Sequence, residues 1–388
     1  MRERLRHPRA AGDSGSFFDR LLASDGAVSV LVILLGFLCG TILIWSVGRN
    51  PLNMYKAILQ SLTGFNVDNA RNPWNIRYIG ETLNYSVPFI LCGLSMAFAA
   101  RVGLFNIGGE GQYIAGMTAA QAVALLGPQV PVLHCVLAVL AAVAAAAVWG
   151  GVVGILKAKY EVSEVVSTIM LNYIALYLSR IICLHLPGAT TYRTDAFPET
   201  ATLKNLFFER ITNYSLLNNG FFLMIAAVLV YWFIMEKTNL GFGMRATGFN
   251  REAARCSGIP VVKNIALSMA ISGAFAGLAG GIVALGSFSY GRIIAGMDNY
   301  GFNGIAVALV GNNTAGGNFL AGILFGMLKN AQALMQSKQI PKEITFIIQG
   351  LIVVFIALRS GLKIYRQWRN KRRLQREVAE SLQGGEGK

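Results

Sequence analysis

The chain has 388 residues, 54% of them hydrophobic and 14% charged, with a net charge of +15 and a mean hydropathy of +0.51. Soluble domains carry nearer a quarter charged residues, so the two or three soluble domains this length would suggest give way to membrane spans of about 20 residues each. The positive residues lie between apolar runs rather than on one polar face, which marks membrane topology and excludes a nucleic-acid surface.

Residues 1–26 are polar and carry Arg2, Arg4, Arg6, Arg9 and Arg20. The apolar run at 27–48 is too long for a signal-peptide core and predicts an uncleaved span. The stretch Pro51–Phe65 is modestly amphipathic. Further spans are predicted at 82–101, 107–127, 131–156, 163–186, 219–236, 264–287, 298–311, 317–337 and 342–360. The fold class is therefore an all-α polytopic membrane protein of about ten transmembrane helices, with a broken helix near 103–112. If the N-terminus is cytoplasmic, roughly two-thirds of the lysines and arginines fall in inside loops, so the positive-inside bias places both termini in the cytoplasm. The chain then divides into a cytoplasmic N-terminal segment (1–26), a transmembrane domain (27–360) and a basic cytoplasmic tail (361–388) suited to anionic headgroups. Two loops stand out. The outer one, 187–218, is too long for a simple turn and could form part of a docking surface; the inner one, 237–263, is rich in positive charge.

The break itself reads Phe105-Asn106-Ile107-Gly108-Gly109-Glu110-Gly111-Gln112. A carboxylate, two amides and three glycines interrupt apolar sequence, which hydrocarbon tolerates mainly where protein or a water-filled cavity surrounds it. Such a break belongs to a translocation route rather than an anchor. Cys39, Cys92, Cys135, Cys183 and Cys256 stand far apart, and His7, His134 and His185 share no ligand spacing. Neither a disulfide framework nor a metal site is supported, and no cofactor is implied. Glycines four apart, at Gly150/Gly154, Gly273/Gly277/Gly281 and Gly322/Gly326, predict close helix packing. No GxxxxGK[ST] occurs, so the chain holds no phosphate-binding loop of that kind.

Within the inner loop, Asn250 suits a helix N-cap and Glu252 the first turn. Ala253 and Ala254 favour helix, Gly258 can close it in the left-handed conformation and Pro260 stops it. The result is a short helix of about two turns, marginal alone in water; either a groove on another protein stabilises it or it is a capped surface turn.

The pieces Gly103–Gln112, Glu164–Ile174 and Gly301–Leu309 resemble, in order, the permease subunits of bacterial ABC importers for ribose, other simple sugars and branched-chain amino acids. The first two pieces are most similar to the nucleoside-uptake branch, and 248–259 resembles the family's cytoplasmic coupling helix. The resemblance implies a non-catalytic permease in the bacterial inner membrane, paired with a second copy or a sister permease. Its further partners would be two cytoplasmic ATPase subunits, an extracytoplasmic solute-binding protein and the lipid bilayer, with no nucleic acid. Coupling would pass through Gly248, Asn250, Glu252, Ala253, Ala254, Gly258 and Ile259. The solute route would be lined by Phe105, Asn106, Glu110, Gln112, Asn172 and Asn303, whose amides suit ribose hydroxyls and base edges. The same amides could instead satisfy broken backbone, and Glu110 could be a structural carboxylate at a helix start. Arg180 and Lys329 read as snorkelling cations, and Arg292 with Asp298 as an outer-loop ion pair worth little. The alternatives are a permease for simple sugars and, from another class, an ion-coupled secondary transporter, which would need paired intramembrane acids. A membrane enzyme lacks a convergent nucleophile, base or metal set.

Overall fold

Inside hydrocarbon no water is present to bond the backbone, so an apolar run must close its own hydrogen bonds as helix. The computed structural model describes residues 25–69, 71, 73–355, 358 and 368. The expected polar N-terminal segment, up to residue 24, and the basic tail, Trp368 apart, lie outside the described residues. Helices stand where hydropathy places them: α1 (Asp25–Ser46), α2 (Leu52–Thr63), α3 (Arg77–Arg101), α4 (Gly109–Leu126), α5 (Leu133–Tyr160) and α6 (Glu164–Leu184). After a short strand β1 (Arg193–Ala196) come α7 (Leu206–Ile211), α8 (Gly220–Lys237), α9 (Asn239–Phe249), α10 (Arg251–Cys256) and α11 (Val261–Ile282). A π turn (Val283–Ser287), strand β2 (Tyr290–Arg292), α12 (Tyr300–Val310), α13 (Ala315–Ser337) and α14 (Glu343–Phe355) complete the described chain. The protein is an all-α, multi-pass membrane protein.

The described residues form two units: Gly40–Gln349, and the flanking stretches before Gly40 and after Gln349. The flanking unit contributes helical residues 25–39 and 350–355. The larger unit holds the helix break, the 237–263 loop and the two strands.

Among the described residues, five helices are long and apolar enough to cross a membrane: α3, α5, α6, α8 and α11 extended through the π turn. Their burial does not follow their hydropathy. α5 is the most apolar of the five, with a mean hydropathy of 2.4, yet only 28% of its span is buried; α3, at 1.5, is 83% buried. Lipid is as apolar as leucine, so the most apolar helix can face outward while the helix carrying Thr82, Asn84, Ser86 and Ser95 must be covered by protein. α3 and α11, 83% and 78% buried, form the centre.

Small residues bring these helices together. On α11, a methyl group at Gly273 would strike the Ala146 carbonyl of α5, and one at Gly277 would stand 2.5 Å from the Ala142 oxygen. From the other side, a methyl at Gly154 would lie 2.7 Å from the Ala266 oxygen. Gly322 and Gly326 of α13 press on Ile90 and Ser86 of α3 in the same manner. The glycines four apart are thus packing seams, as their spacing predicts.

The two strands pair antiparallel, Arg193 opposite Arg292 and Ala196 opposite Tyr290, with an irregularity between. This ties the 187–218 loop to the segment before α12. Further bonds run from Leu203 N to Leu285 O (3.0 Å) and from Phe197 N to Ser289 O (2.8 Å). The hairpin marks one end of the bundle, the hairpin end. α8 leads from it to the opposite end, where the 237–263 loop lies.

Candidate functional site

At the end of α3 the chain leaves helical geometry. Gly103 takes a left-handed φ of 73°, which glycine adopts without penalty, and residues 103–108 run non-helically back to the start of α4 at Gly109. Asn106 is buried in this turn and holds it in place. Its amide exchanges bonds with Gln112, Asn106 Nδ2 donating to Oε1 at 2.8 Å and Gln112 Nε2 donating to Asn106 Oδ1 at 3.2 Å. Asn106 Nδ2 also donates to Ser272 Oγ of α11 at 2.7 Å, and its Oδ1 accepts from Gly108 N at 3.0 Å. From α6, Asn172 accepts from Gly111 N at 2.8 Å and donates to the Ile107 carbonyl at 3.1 Å. Backbone groups freed by the break are thus bonded by side chains, as a buried break demands.

A second helix starts beside it. α12 opens at Tyr300 after Asn299, which takes a left-handed φ of 65°. Glu110, fully buried, accepts from Asn299 N at 2.7 Å and Gly301 N at 2.6 Å. The positive ends of α4 and α12 therefore converge on one carboxylate, which offsets their mutual repulsion and satisfies two amides that a helix start leaves free. Gly301 has to be glycine here, because a methyl group would lie 2.5 Å from Glu110 Cα.

The 237–263 loop folds as two helices rather than the one expected. α9 is capped by Thr238, whose hydroxyl accepts from Gly241 N at 3.1 Å. α10 is capped by Asn250, whose Oδ1 accepts from Ala253 N at 3.0 Å. It closes as its sequence predicts: Gly258 has a φ of 78°, Gly258 N donates to Arg255 O and Ile259 N to Ala254 O, both at 3.0 Å. Glu252 and Ala253 are exposed. Ala254 is buried in a cluster with Ala99, Leu104, Val261, Ile265 and Met269, so it faces the protein's own core and offers nothing to a partner. At the end of α9, Phe249 is 96% exposed. Glu236 ties this end together, accepting from Arg101 and Arg245 at 2.5 Å each.

The loop touches the break directly. A methyl group on Gly248 would lie 2.6 Å from the Arg101 oxygen and 2.9 Å from Gly103 N; one on Gly103 would lie 3.1 Å from the Gly248 oxygen. With Leu104 in the Ala254 cluster, α9 and α10 both bear on the turn that carries Asn106.

Toward the hairpin end a cavity of about 300 Å3 opens between α3, the π turn, β2, α12 and α13. Arg292 and Asp298 stand in its wall, joined by two bonds of 2.7 and 2.8 Å. Their side chains are 22% and 17% exposed. They are not the outer-loop surface pair expected, because the β1–β2 pairing folds Arg292 inward and Tyr113 of α4 donates to Asp298 at 3.1 Å. Lys329 also lines the cavity, with the Phe346 ring 5.8 Å away. It faces an internal space where snorkelling to the interface was expected. Arg180 is exposed.

Residues 78–357 match the family described as branched-chain amino acid transport system / permease component. The chain belongs to this permease family. It is 40% identical over 337 residues to the guanosine ABC transporter permease protein NupP of Bacillus subtilis, covering 87% of this chain and 94% of that one. It is 35% identical over 345 residues to the nucleoside ABC transporter permease protein NupB of Lactococcus lactis, with 87% and 92% covered. Identity to the glucose ABC transporter permease protein TsgB13 of Haloferax volcanii is 33% over 299 residues, with 74% and 77% covered.

In this permease the structure brings Asn106, Glu110, Gln112 and Asn172 to one junction, where their amides and carboxylate are hydrogen-bonded. Phe105 is 39% exposed. Asn303 is half-buried on α12, its backbone amide bonded to Asn299 O. Sequence reasoning missed the cavity residues Tyr85 and Tyr300, the exposed Phe249, and the whole of α9. A Thr238 cap ahead of Asn239–Phe249 was the available signal for the last.

Proposed function

We propose that this permease is the membrane half of an ATP-driven importer of nucleosides. The single observation that carries the reading is the backbone contact between Gly248 and Gly103, which joins a capped, exposed helical loop to the turn where α4 and α12 begin. A partner that moves α9 and α10 thereby moves the junction. The names of two relatives, at 40% and 35% identity, supply the solute class. A second reading, a simple sugar, is favoured by the glucose permease relative.

Two cytoplasmic ATPase subunits would receive Phe249, Glu252 and Ala253, with Phe249 as the aromatic anchor such interfaces favour. Asn250, Gly258 and Ile259 would fix the shape of the loop, and Gly248 and Ala254 would pass its displacement inward. A second permease, identical or a sister, would cover the outward faces of the sparsely buried helices. A solute-binding protein would dock at the hairpin end, where Leu206, Phe207, Ile211 and Tyr214 form an exposed apolar ridge. In this arrangement the permease sits in the bacterial inner membrane with both termini and the 237–263 loop in the cytoplasm. Asn106, Glu110, Gln112 and Asn172 hold the junction, and rearrangement of their bonds accompanies passage of solute past Phe105 and Asn303.

The test is uptake of radiolabelled nucleosides and sugars by cells with and without this chain, repeated with the partner ATPase inactivated. Loss of nucleoside uptake in both cases is expected, with sugars unaffected. Uptake that survives ATPase loss and collapses with the ion gradient would replace this reading with a secondary transporter.

A further inference from the structure

We propose that the cavity beside the junction is a binding subsite, within one permease subunit, for the base of a 6-oxopurine nucleoside. The inference rests on the nucleoside reading and adds a location and a base preference to it.

The cavity, about 300 Å3, is of the size that encloses small ligands. Its walls are aromatic on more than one side: Tyr85 of α3, Phe288 after the π turn and Tyr300 of α12 all line it. Two of these rings, Tyr300 and Phe288, are held by neighbours. Phe89 packs edge-on against Tyr300 with centroids 5.1 Å apart, Tyr113 lies 5.6 Å from the same ring, and the Arg292 guanidinium sits 4.5 Å over Phe288. Rings fixed in this way present a preformed surface on which a planar base can stack.

The polar groups choose among bases. Arg292 and Asp298 satisfy each other, and Asp298 takes a further bond from Tyr113. Lys329 is left over: among the described residues its ammonium has no hydrogen bond and no ion pair, although the Asp298 carboxylate and the Lys342 ammonium act on it through space and the Phe346 ring lies 5.8 Å away. An ammonium has three donors and no acceptor. It is matched by a ligand edge with two adjacent acceptors, which N7 and O6 of a 6-oxopurine provide. Adenine offers N7 beside an amino donor, and pyrimidines lack N7 altogether. Donor against donor leaves the adenine edge unpaired. Asn84 also lines the cavity, and its amide oxygen, which accepts one bond from Asn218, has a second lone pair for a donor. Guanine and hypoxanthine carry a ring N–H that can meet it.

The experiment measures uptake of guanosine, inosine, adenosine and cytidine by cells carrying the assembled transporter, normalised to permease in the membrane. Wild type is compared with Lys329→Gln and Lys329→Arg. The solute-binding protein is the same throughout, so a changed ratio belongs to the permease. Lys329→Gln is expected to lower guanosine and inosine uptake by about tenfold, leaving adenosine within about twofold, and Lys329→Arg to restore the preference. A merely structural lysine would lower all four nucleosides alike, and that result, or an unchanged ratio, overturns the subsite while the nucleoside reading stands. Absence of nucleoside uptake by wild type overturns both. Should Lys329→Gln fail to reach the membrane, the ring wall gives the answer. Tyr85→Phe is expected to keep uptake and Tyr85→Leu to lose about tenfold for every purine nucleoside; equal uptake by those two variants overturns the subsite.

Discussion

Replacing Gly248 by alanine tests the link between the 237–263 loop and the junction. The added methyl would lie 2.6 Å from the Arg101 oxygen, 2.8 Å from Val102 C and 2.9 Å from Gly103 N. Carbon contacts are at ease near 3.5–4.0 Å, so the two backbones must part by roughly 1 Å. All three obstructing atoms are main chain and cannot swing aside as a flexible side chain would. Overpacking of this kind costs about 1–3 kcal/mol, equivalent to a factor of about 5–150 in the population of the closely packed arrangement. If that arrangement transmits motion, uptake per permease in the membrane falls by a factor in that range. Solute moved per ATP, measured in proteoliposomes with the full transporter, falls with it. Gly248→Ser, with a similar Cβ, is expected to match. Uptake and stoichiometry within twofold of wild type would refute the argument, because the contact would then be incidental to transport.

Gly258→Pro places a ring requiring a φ of about −65° where the backbone stands at 78° and where the amide donates to Arg255. It is expected to abolish uptake with the protein still in the membrane, whereas Gly258→Ala, strained by only about 1–2 kcal/mol, retains a fraction; equal uptake by the two would contradict the cap. Glu110→Gln keeps an acceptor for one of the two amides it now bonds, and Glu110→Ala keeps none, each orphaned donor costing about 1–3 kcal/mol. Thermal stability in detergent is therefore expected in the order wild type, Gln, Ala, and an alanine variant as stable as wild type would return Glu110 to an optional role. Asp68 lies between Lys338 and Lys56, and their hydrogen bonds lower its pKa from 3.8 to about 2. Because the folded value is the lower one, its stabilising contribution is complete above about pH 4 and is lost as pH falls through about 2. Asp68→Asn should remove that part of the acid dependence, read as denaturation midpoints stepped through this interval; an identical profile would show that the clamp carries no stability.

What the sequence made legible is what hydrocarbon enforces on any single segment. Each predicted span has a helix because apolar runs leave the backbone no other partner, and the helix break shows because Asn106, Glu110 and Gln112 violate that rule. The cap at Asn250 and the stop at Gly258 are equally local, and both formed. What stayed hidden depends on partners far away in the chain. Arg292 reads as a surface residue until β1, about 100 residues earlier, folds β2 inward. Lys329 reads as a snorkelling cation because nothing in its own helix reports the cavity that Tyr85 and Tyr300 wall. Asn106 could be singled out, but its bond to Ser272 joins residues 166 apart. Helix propensity marks Ala254 as a helix former and says nothing about direction, so its burial against Leu104 and Val261 was not legible.

The polarity of the bundle gives these details one cause. α3 and α11 are buried because they carry side chains that lipid cannot satisfy, and those side chains bond to one another across the helices that the glycine seams draw close. An unpaired polar group in such a seam is costly. Rearrangement at the junction must therefore exchange one bonded set for another rather than loosen bonds singly. Glu110 illustrates the constraint: it cannot leave Asn299 and Gly301 without exposing two amides at a helix start, so α4 and α12 move as a pair or the carboxylate finds new donors. The 103–108 turn leads into this pair, and the 237–263 loop rests on its first glycine. If a partner engages α9 and α10 as proposed, the force it applies reaches, through Gly103, a place where two helix starts share a single anchor.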